Sequence, residues 1–435
     1  MRNFDEYIDA SAEEMTASLA AAVRKKSVFE EDGSPYPFGR GVHECLEYVL
    51  SLADSMGFRT CNMDDRCGWC EYGEGEEMIG ILTHLDVVPE GTGWTVEPFG
   101  AEIKDGRMYG RGTIDDKGGA ISSLYALKAI KDSGLPLKRR IRILFGCDEE
   151  RGCGDMKYYR ENGGEIPVLG FTPDGNYPLI NGEKGLIIEK YRCSFEPGFI
   201  RSLSGGNAEN QVPDYACAVL ADGTKIEATG VNAHGAMPWE GENAIGKLFL
   251  KLAELPLEGK LKKAVDFVAC KIGTETRGES LGVHLHDDIS GDLSFNMGTV
   301  SGDGSSMTIG VNYRYPVTMH FEDCGPQVKK QFEEAGFKLV SAMREDRLYV
   351  PADSFLVRSL LAVYKDYTGE EAEPLSIGGG TYAKTIPNIV AFGPIFPDDE
   401  VREHKPDEFI LLSRLQDVAK ISARAMYILA GEENA

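Results

Sequence analysis

The stretch Gly80-Ile81-Leu82-Thr83-His84-Leu85-Asp86-Val87-Val88-Pro89 places an imidazole and a carboxylate two residues apart at the end of an apolar run. A run of aliphatic and β-branched residues reads as a buried strand, and side chains two apart on an extended chain project to one face. An imidazole that binds a metal needs its second nitrogen held by an acceptor, which a carboxylate two residues on can supply. A solvated strand end is the plainer alternative, since His-x-Asp is short enough to arise by chance. Four further groups of candidates change the balance. Asp115 and Asp116 follow the glycine turn Tyr109-Gly110-Arg111-Gly112-Thr113-Ile114 and precede Lys117-Gly118-Gly119-Ala120 and an apolar helix. The turn matches no dinucleotide or P-loop fingerprint, and a capped helix explains it as well as metal bridging does. Asp148, Glu149 and Glu150 follow an apolar strand over 140–145; three adjacent acids repel one another unless a cation or a raised pKa relieves them. Asp174 follows another apolar run in Val168-Leu169-Gly170-Phe171-Thr172-Pro173, and His404 follows the late strand over 389–393, again near a strand end.

The elements that must position these residues fall into two textures. Over the first 175 or so residues, four strand ends deliver His or Asp/Glu with helices between them, after opening helices over 5–25 and 43–56. Strands alternating with helices predict an α/β fold with a mostly parallel sheet, whose carboxyl edge collects the candidates. Past Gly182 the strands alternate polar with apolar, as over 186–194 and 216–229, with helices over 244–255 and 327–334. That is the pattern of an antiparallel sheet with helices on one side. The α/β texture returns from about Asp353. The expected organisation is a catalytic domain over 1–183 and 353–435, interrupted by an α+β lid domain over 184–352.

With 435 residues the chain exceeds what one core usually holds, and its 42% hydrophobic and 27% charged residues are those of a globular protein. A net charge of −24 disfavours nucleic acid as a partner and is compatible with cation binding. No apolar run is long enough to cross a bilayer, and the acidic segment 1–15 lacks the apolar centre of a secretory signal, so the expected location is the cytoplasm. Ten irregularly spaced cysteines indicate reduced thiols; the Cys67/Cys70 pair lacks both a second Cys-x-x-Cys and the strand-to-helix junction of a thioredoxin motif.

With these residues in view, the chain resembles the aminoacylase, carboxypeptidase and dipeptidase family of dinuclear zinc hydrolases, and most closely the dipeptidases of the peptidase V type. The resemblance runs from about Phe4 to the C-terminus and rests on HLDVVP, GRGTIDDKG, DEERG, TPDG, NQVPD, HGAMPWEGENA, NYRYP, GGGTYAK and the late histidine, in this order. It implies two divalent ions, zinc or else manganese or cobalt, one held by His84, Asp115 and Asp174 and the other by Asp115, Glu150 and His404. It implies Glu149 as general base and Asp86 as the residue that orients His84. In the lid it implies His234 as donor to the tetrahedral oxyanion, reaching the site when the lid closes. Asn210 and Arg314 would grip the substrate carboxylate, and Gly379, Gly380 and Thr381 would border the same cavity. The lid is about twice the size found in dimerising relatives, so a monomer acting on short peptides is implied. The competing readings are an N-acyl amino acid deacylase or carboxypeptidase on the same site and, from another class, a non-catalytic binding protein. His43, His284, His286 and His320 match no motif.

Overall fold

The computed structural model describes residues 4–431, so the outermost ends of the first expected domain, 1–3 and 432–435, lie outside the described residues. The chain divides into two compact units. The first runs to Asn181 and returns for Val350–Leu375 and again from Thr381 onward; the second comprises Gly182–Tyr349 and Ser376–Gly380. The short piece Ser376–Gly380 thus clusters with the inserted unit, whereas chain order alone assigns it to the expected catalytic domain.

The first unit is built on a sheet in which six successive strands are, in spatial order, Arg59–Met63, Cys67–Tyr72, Arg140–Gly146, Met78–His84, Leu169–Thr172 and Ile389–Ala391. The last four are parallel to one another, while Cys67–Tyr72 is antiparallel both to Arg140–Gly146 and to Arg59–Met63, with which it forms a hairpin at the edge. The fold is therefore α/β with a parallel centre. Parallel strands covered on both faces must be apolar throughout, and Met78–His84 is buried at every position. Register aligns the carboxyl ends: His84 lies opposite Gly146, and Ile81 opposite Phe171. Helix Lys117–Asp132, buried along most of its length, packs against helix Leu412–Gly431 and the central strands.

A second, three-stranded sheet was not foreseen. Phe409–Leu411 pairs antiparallel with Arg107–Tyr109, which pairs with Glu102–Lys104. It joins segments that are some three hundred residues apart in the chain, and it stands next to two of the candidate ligands.

The second unit is a seven-stranded antiparallel sheet in the order Lys225–Thr229, Tyr215–Leu220, Ile200–Gly205, Ser294–Gly302, Ser306–Tyr315, Gly185–Ser194, Lys338–Glu345. Alternate residues of Gly185–Ser194, among them Ile187, Tyr191 and Cys193, enter one apolar core with helices Ala244–Ala253, Gly259–Lys271 and Gly325–Glu334. Helix Gly259–Lys271 is an addition to the expected pair.

Candidate metal centre

His84 ends the central strand fully buried, and its ring is fixed from both sides. Nδ1 lies 3.0 Å from the main-chain carbonyl oxygen of Asp86, and Nε2 lies 2.9 Å from Asp115 Oδ1 and 3.8 Å from Asp174 Oδ2. His404 approaches the same aspartate from the other side: its Nε2 is 2.9 Å from Asp115 Oδ2 and 3.2 Å from Glu150 Oε1. Asp115 thus turns one carboxylate oxygen to each histidine. The ligand atoms of His84, Asp115 and Asp174 lie within 4.8 Å of one another, as do those of Asp115, Glu150 and His404. Two nitrogen and oxygen triads sharing a carboxylate, with no thiolate, match the donor chemistry of a pair of Zn²⁺, Mn²⁺ or Co²⁺ ions.

Two of these residues do not come from ends of the main sheet, as chain order suggests. Asp115 sits in the turn just ahead of helix Lys117–Asp132, and His404 sits in an irregular loop with φ +58°. The small sheet explains their meeting. Pairing of Tyr109 with Phe409 brings a segment six residues before Asp115 against one five residues after His404. A buried ion pair then ties the two turns: Arg111 Nη1 donates to Glu408 Oε2 at 2.6 Å, and the Ile114 N–H donates to Glu408 Oε1 at 3.0 Å. Thr95 holds the same loop through two bonds to Asp407. Nothing in the local sequence marks Arg111 and Glu408 as partners.

Asp86 differs from expectation in the part of it that does the work. Its carboxylate Oδ1 stands 3.5 Å from His84 Nδ1, and the closer acceptor is its own carbonyl. The carboxylate is turned instead to the acidic turn, accepting from the N–H of Glu149 and of Glu150 at 3.2 Å each. It therefore positions the turn that bears Glu149 and Glu150, as well as bordering His84.

Electrostatics follow from four carboxylates meeting a buried imidazole, His84, and a half-exposed one, His404. Burial, reinforced by the Asp115 charge, pushes the Asp174 carboxyl up to about 8. Burial likewise raises Glu149 well above the carboxylate range, with Asp174, Glu150 and Asp115 adding repulsion. Burial opposes ionisation of Asp115 too, yet hydrogen bonds to His404 and His84 hold it well below its ordinary value. The same bonds to Asp115 and Glu150 lift His404 to about 11, and His84 is held high against its own burial. A cradle with this surplus of buried negative charge suits cations.

The remaining candidates lie in the second unit, apart from Thr381. Gln211–Val212 forms a two-residue ladder with Ala233–His234, and the Gly235 N–H donates to the Asn210 carbonyl at 2.7 Å, so Asn210 and His234 are neighbours. The Ala236 N–H donates to His234 Nδ1 at 3.3 Å, which leaves the proton of the neutral ring on Nε2. Burial and the nearby Arg314 charge lower the His234 pKa, favouring that neutral form. Arg314 is 4% exposed; Nε donates to Asn312 Oδ1 at 3.3 Å and Nη1 to the Gly378 carbonyl, and burial lowers its pKa to about 10. Gly379 and Gly380 follow in the same unit. Thr381 belongs to the first unit, where its Oγ1 accepts from the Ala383 N–H at 3.1 Å.

The unassigned histidines have ordinary partners. His43 stacks on Tyr36 and bonds Asp65; with Glu47 it makes a third group of metal-capable residues, but the Asn62 amide already donates to both carboxylates. His284 and His286 share Asp292 with Arg277, and His320 caps the turn Phe321–Asp323. Cys67 and Cys70 are free and buried, their thiols pushed well up by burial.

A family model described as Peptidase family M20/M25/M40 matches residues 80–427. The chain is similar to the Bacillus subtilis (strain 168) protein named "Putative dipeptidase YtjP", 36% identical, with 98% of this chain and 100% of that one covered. It is 33% identical to "Putative dipeptidase SSP1012" of Staphylococcus saprophyticus, with 98% of each covered. Among solved structures it resembles human carnosine dipeptidase 1 at TM-score 0.63, 15% identity and 98% coverage of both chains. It also resembles the Bacillus subtilis YXEP protein, titled a dinuclear metal binding peptidase, at TM-score 0.57, 11% identity and coverage of 96% and 99%. The last two likenesses are of fold. Among the described residues, no helix is long and apolar enough to cross a membrane.

Proposed function

Because the chain belongs to peptidase family M20/M25/M40, a family of metallopeptidases, we propose that it is a dipeptidase that hydrolyses the peptide bond of unblocked dipeptides. The observation that carries this reading is the pair of triads joined at Asp115, with Glu149 held in the same turn as Glu150. Full-length similarity to relatives named as dipeptidases supports the substrate class. His84, Asp115 and Asp174 would hold one divalent ion, and Asp115, Glu150 and His404 the other. Bound there, the ions supply Lewis-acid activation of a water and of the scissile carbonyl.

The chain's own residues do the rest. Glu149 neighbours a ligand candidate without joining either triad, which leaves its carboxylate free to take a proton from the attacking water and deliver it to the leaving amine. Pinning of its N–H by Asp86 limits the positions its carboxylate can sample. His234, neutral with a proton on Nε2, is a donor of the kind an oxyanion needs. Arg314, buried and beside the His234 loop in its own unit, is assigned the substrate carboxylate together with Asn210. A monomer in the cytoplasm completes the proposal.

The test compares kcat/KM for an Xaa-Xaa dipeptide, its N-acetylated form and the matching tripeptide, with zinc, manganese or cobalt supplied. The dipeptide is expected to be preferred by at least tenfold. Preference for the acetylated compound would make the chain a deacylase and end the dipeptidase proposal.

A further inference from the structure

The acidic turn after strand Arg140–Gly146 presents four consecutive main-chain N–H groups, and two buried carboxylates take all of them. Asp86 accepts from Glu149 and Glu150. Asp155 Oδ2 accepts from Cys147 at 2.6 Å and from Asp148 at 2.9 Å, and the Tyr382 hydroxyl donates to the same oxygen. Asp155 and Tyr382 are fully buried, and the Tyr382 ring stands edge-on to the His84 imidazole at 5.8 Å and 89°. The sequence makes room for this arrangement: a Cβ at Gly146 would lie 1.9 Å from the Tyr382 hydroxyl oxygen and 2.6 Å from Asp155 Oδ2.

We propose that Asp155, braced by Tyr382, is a positioning residue for the reaction: it fixes the first half of the turn, and thereby the placement of Glu149 and Glu150, without touching substrate or either metal triad. This deepens the dipeptidase reading and rests on it. The physical case is that hydrogen bonds to an ionised acceptor are about twice as strong as neutral ones. A turn held at every N–H by a charged acceptor also has few alternative conformations, and a general base misplaced by about 1 Å can cost about a hundredfold in rate. Asp155 reaches the turn from helix Gly154–Glu161, and Tyr382 reaches it from the distant Tyr382–Thr385 turn, so the brace links two parts of the chain to the His84 strand end.

Two variants test this in the full chain. Asp155→Asn keeps the size and removes the charge; Tyr382→Phe removes only the hydroxyl and guards against the first failing to fold. Two readouts are taken: dipeptide kinetics at saturating zinc, and amide hydrogen exchange of the 145–151 peptide, with and without metal, against that of helix Lys117–Asp132 as an internal reference. The expected result for Asp155→Asn is a kcat lowered at least tenfold with KM within threefold. Exchange at 147–150 should rise at least tenfold while the reference helix is unchanged. Tyr382→Phe should show the same pattern at roughly a third of the size. The role is overturned if kcat stays within twofold in both variants, or if exchange rises equally in the reference helix, which would make the residues merely structural. Glu149→Gln run alongside separates the two levels. Should it retain turnover, the dipeptidase mechanism fails; should it lose turnover while both brace variants stay normal, only the positioning role fails.

Discussion

The two units hold their candidate residues in opposite ways. In the first, three of the metal candidates are fixed by elements that converge from several parts of the chain: a fully buried strand end for His84, a helix-entry turn for Asp115, and a loop locked by the Arg111–Glu408 pair for His404. In the second, the candidates stand on one short ladder and one buried arginine. The difference fits a division of labour. Ion ligands must be preorganised because converging carboxylates repel until charge arrives, whereas groups that meet substrate need only a correct tautomer and a rigid local frame.

Glu149→Ala is expected to lower turnover about 10³-fold or more, at the upper range for loss of a general base, with both metals retained on elemental analysis. Retained activity would return the chain to a binding role. Next in size, Glu408→Gln strands the Arg111 guanidinium where neither side chain is more than 2% exposed, so denaturant unfolding should show a loss of about 3–5 kcal/mol. A loss below about 1 kcal/mol would show that the tie does not hold the His404 loop. His234→Ala should lower kcat about 10²-fold with metal content and stability unchanged, because on the proposed assignment it removes one oxyanion donor and leaves the ion cradle intact. An effect confined to KM would move His234 from the oxyanion to ground-state binding. The smallest effect is expected for Asn210→Ala, a rise in KM of about tenfold, the worth of about one hydrogen bond to a charged group. No change would remove it from the carboxylate grip.

The same contrast explains what the sequence could reveal. Strand-end candidates were legible because a parallel sheet needs continuous apolar runs, so His84 in HLD, Glu149 and Glu150 after the 140–145 run, and Asp174 after the next all stood out against their flanks. Asp115 was legible by type but not by place, since its segment belongs to a separate three-stranded sheet whose pairing spans most of the chain. Asp155 and Tyr382 escaped because Asp155 takes main-chain N–H groups, which leave no trace in residue identity, and Tyr382 donates to it from more than two hundred residues away. Helix Gly259–Lys271 was missed although Leu261, Ala264, Val265 and Val268 keep helical spacing; its lysine-rich outer face obscures the stripe. Asp86 shows a subtler limit: its proximity to His84 was readable, but which of its oxygens would serve the ring depended on a turn more than sixty residues away.

The most direct measurement counts zinc per chain after dialysis against the free ion, in the parent protein and in three variants. Two ions are expected in the parent, one each in His84→Ala and His404→Ala, and none in Asp115→Ala, whose two oxygens face both histidines. Two ions retained in Asp115→Ala, or a count indifferent to His404, would contradict a shared-aspartate centre.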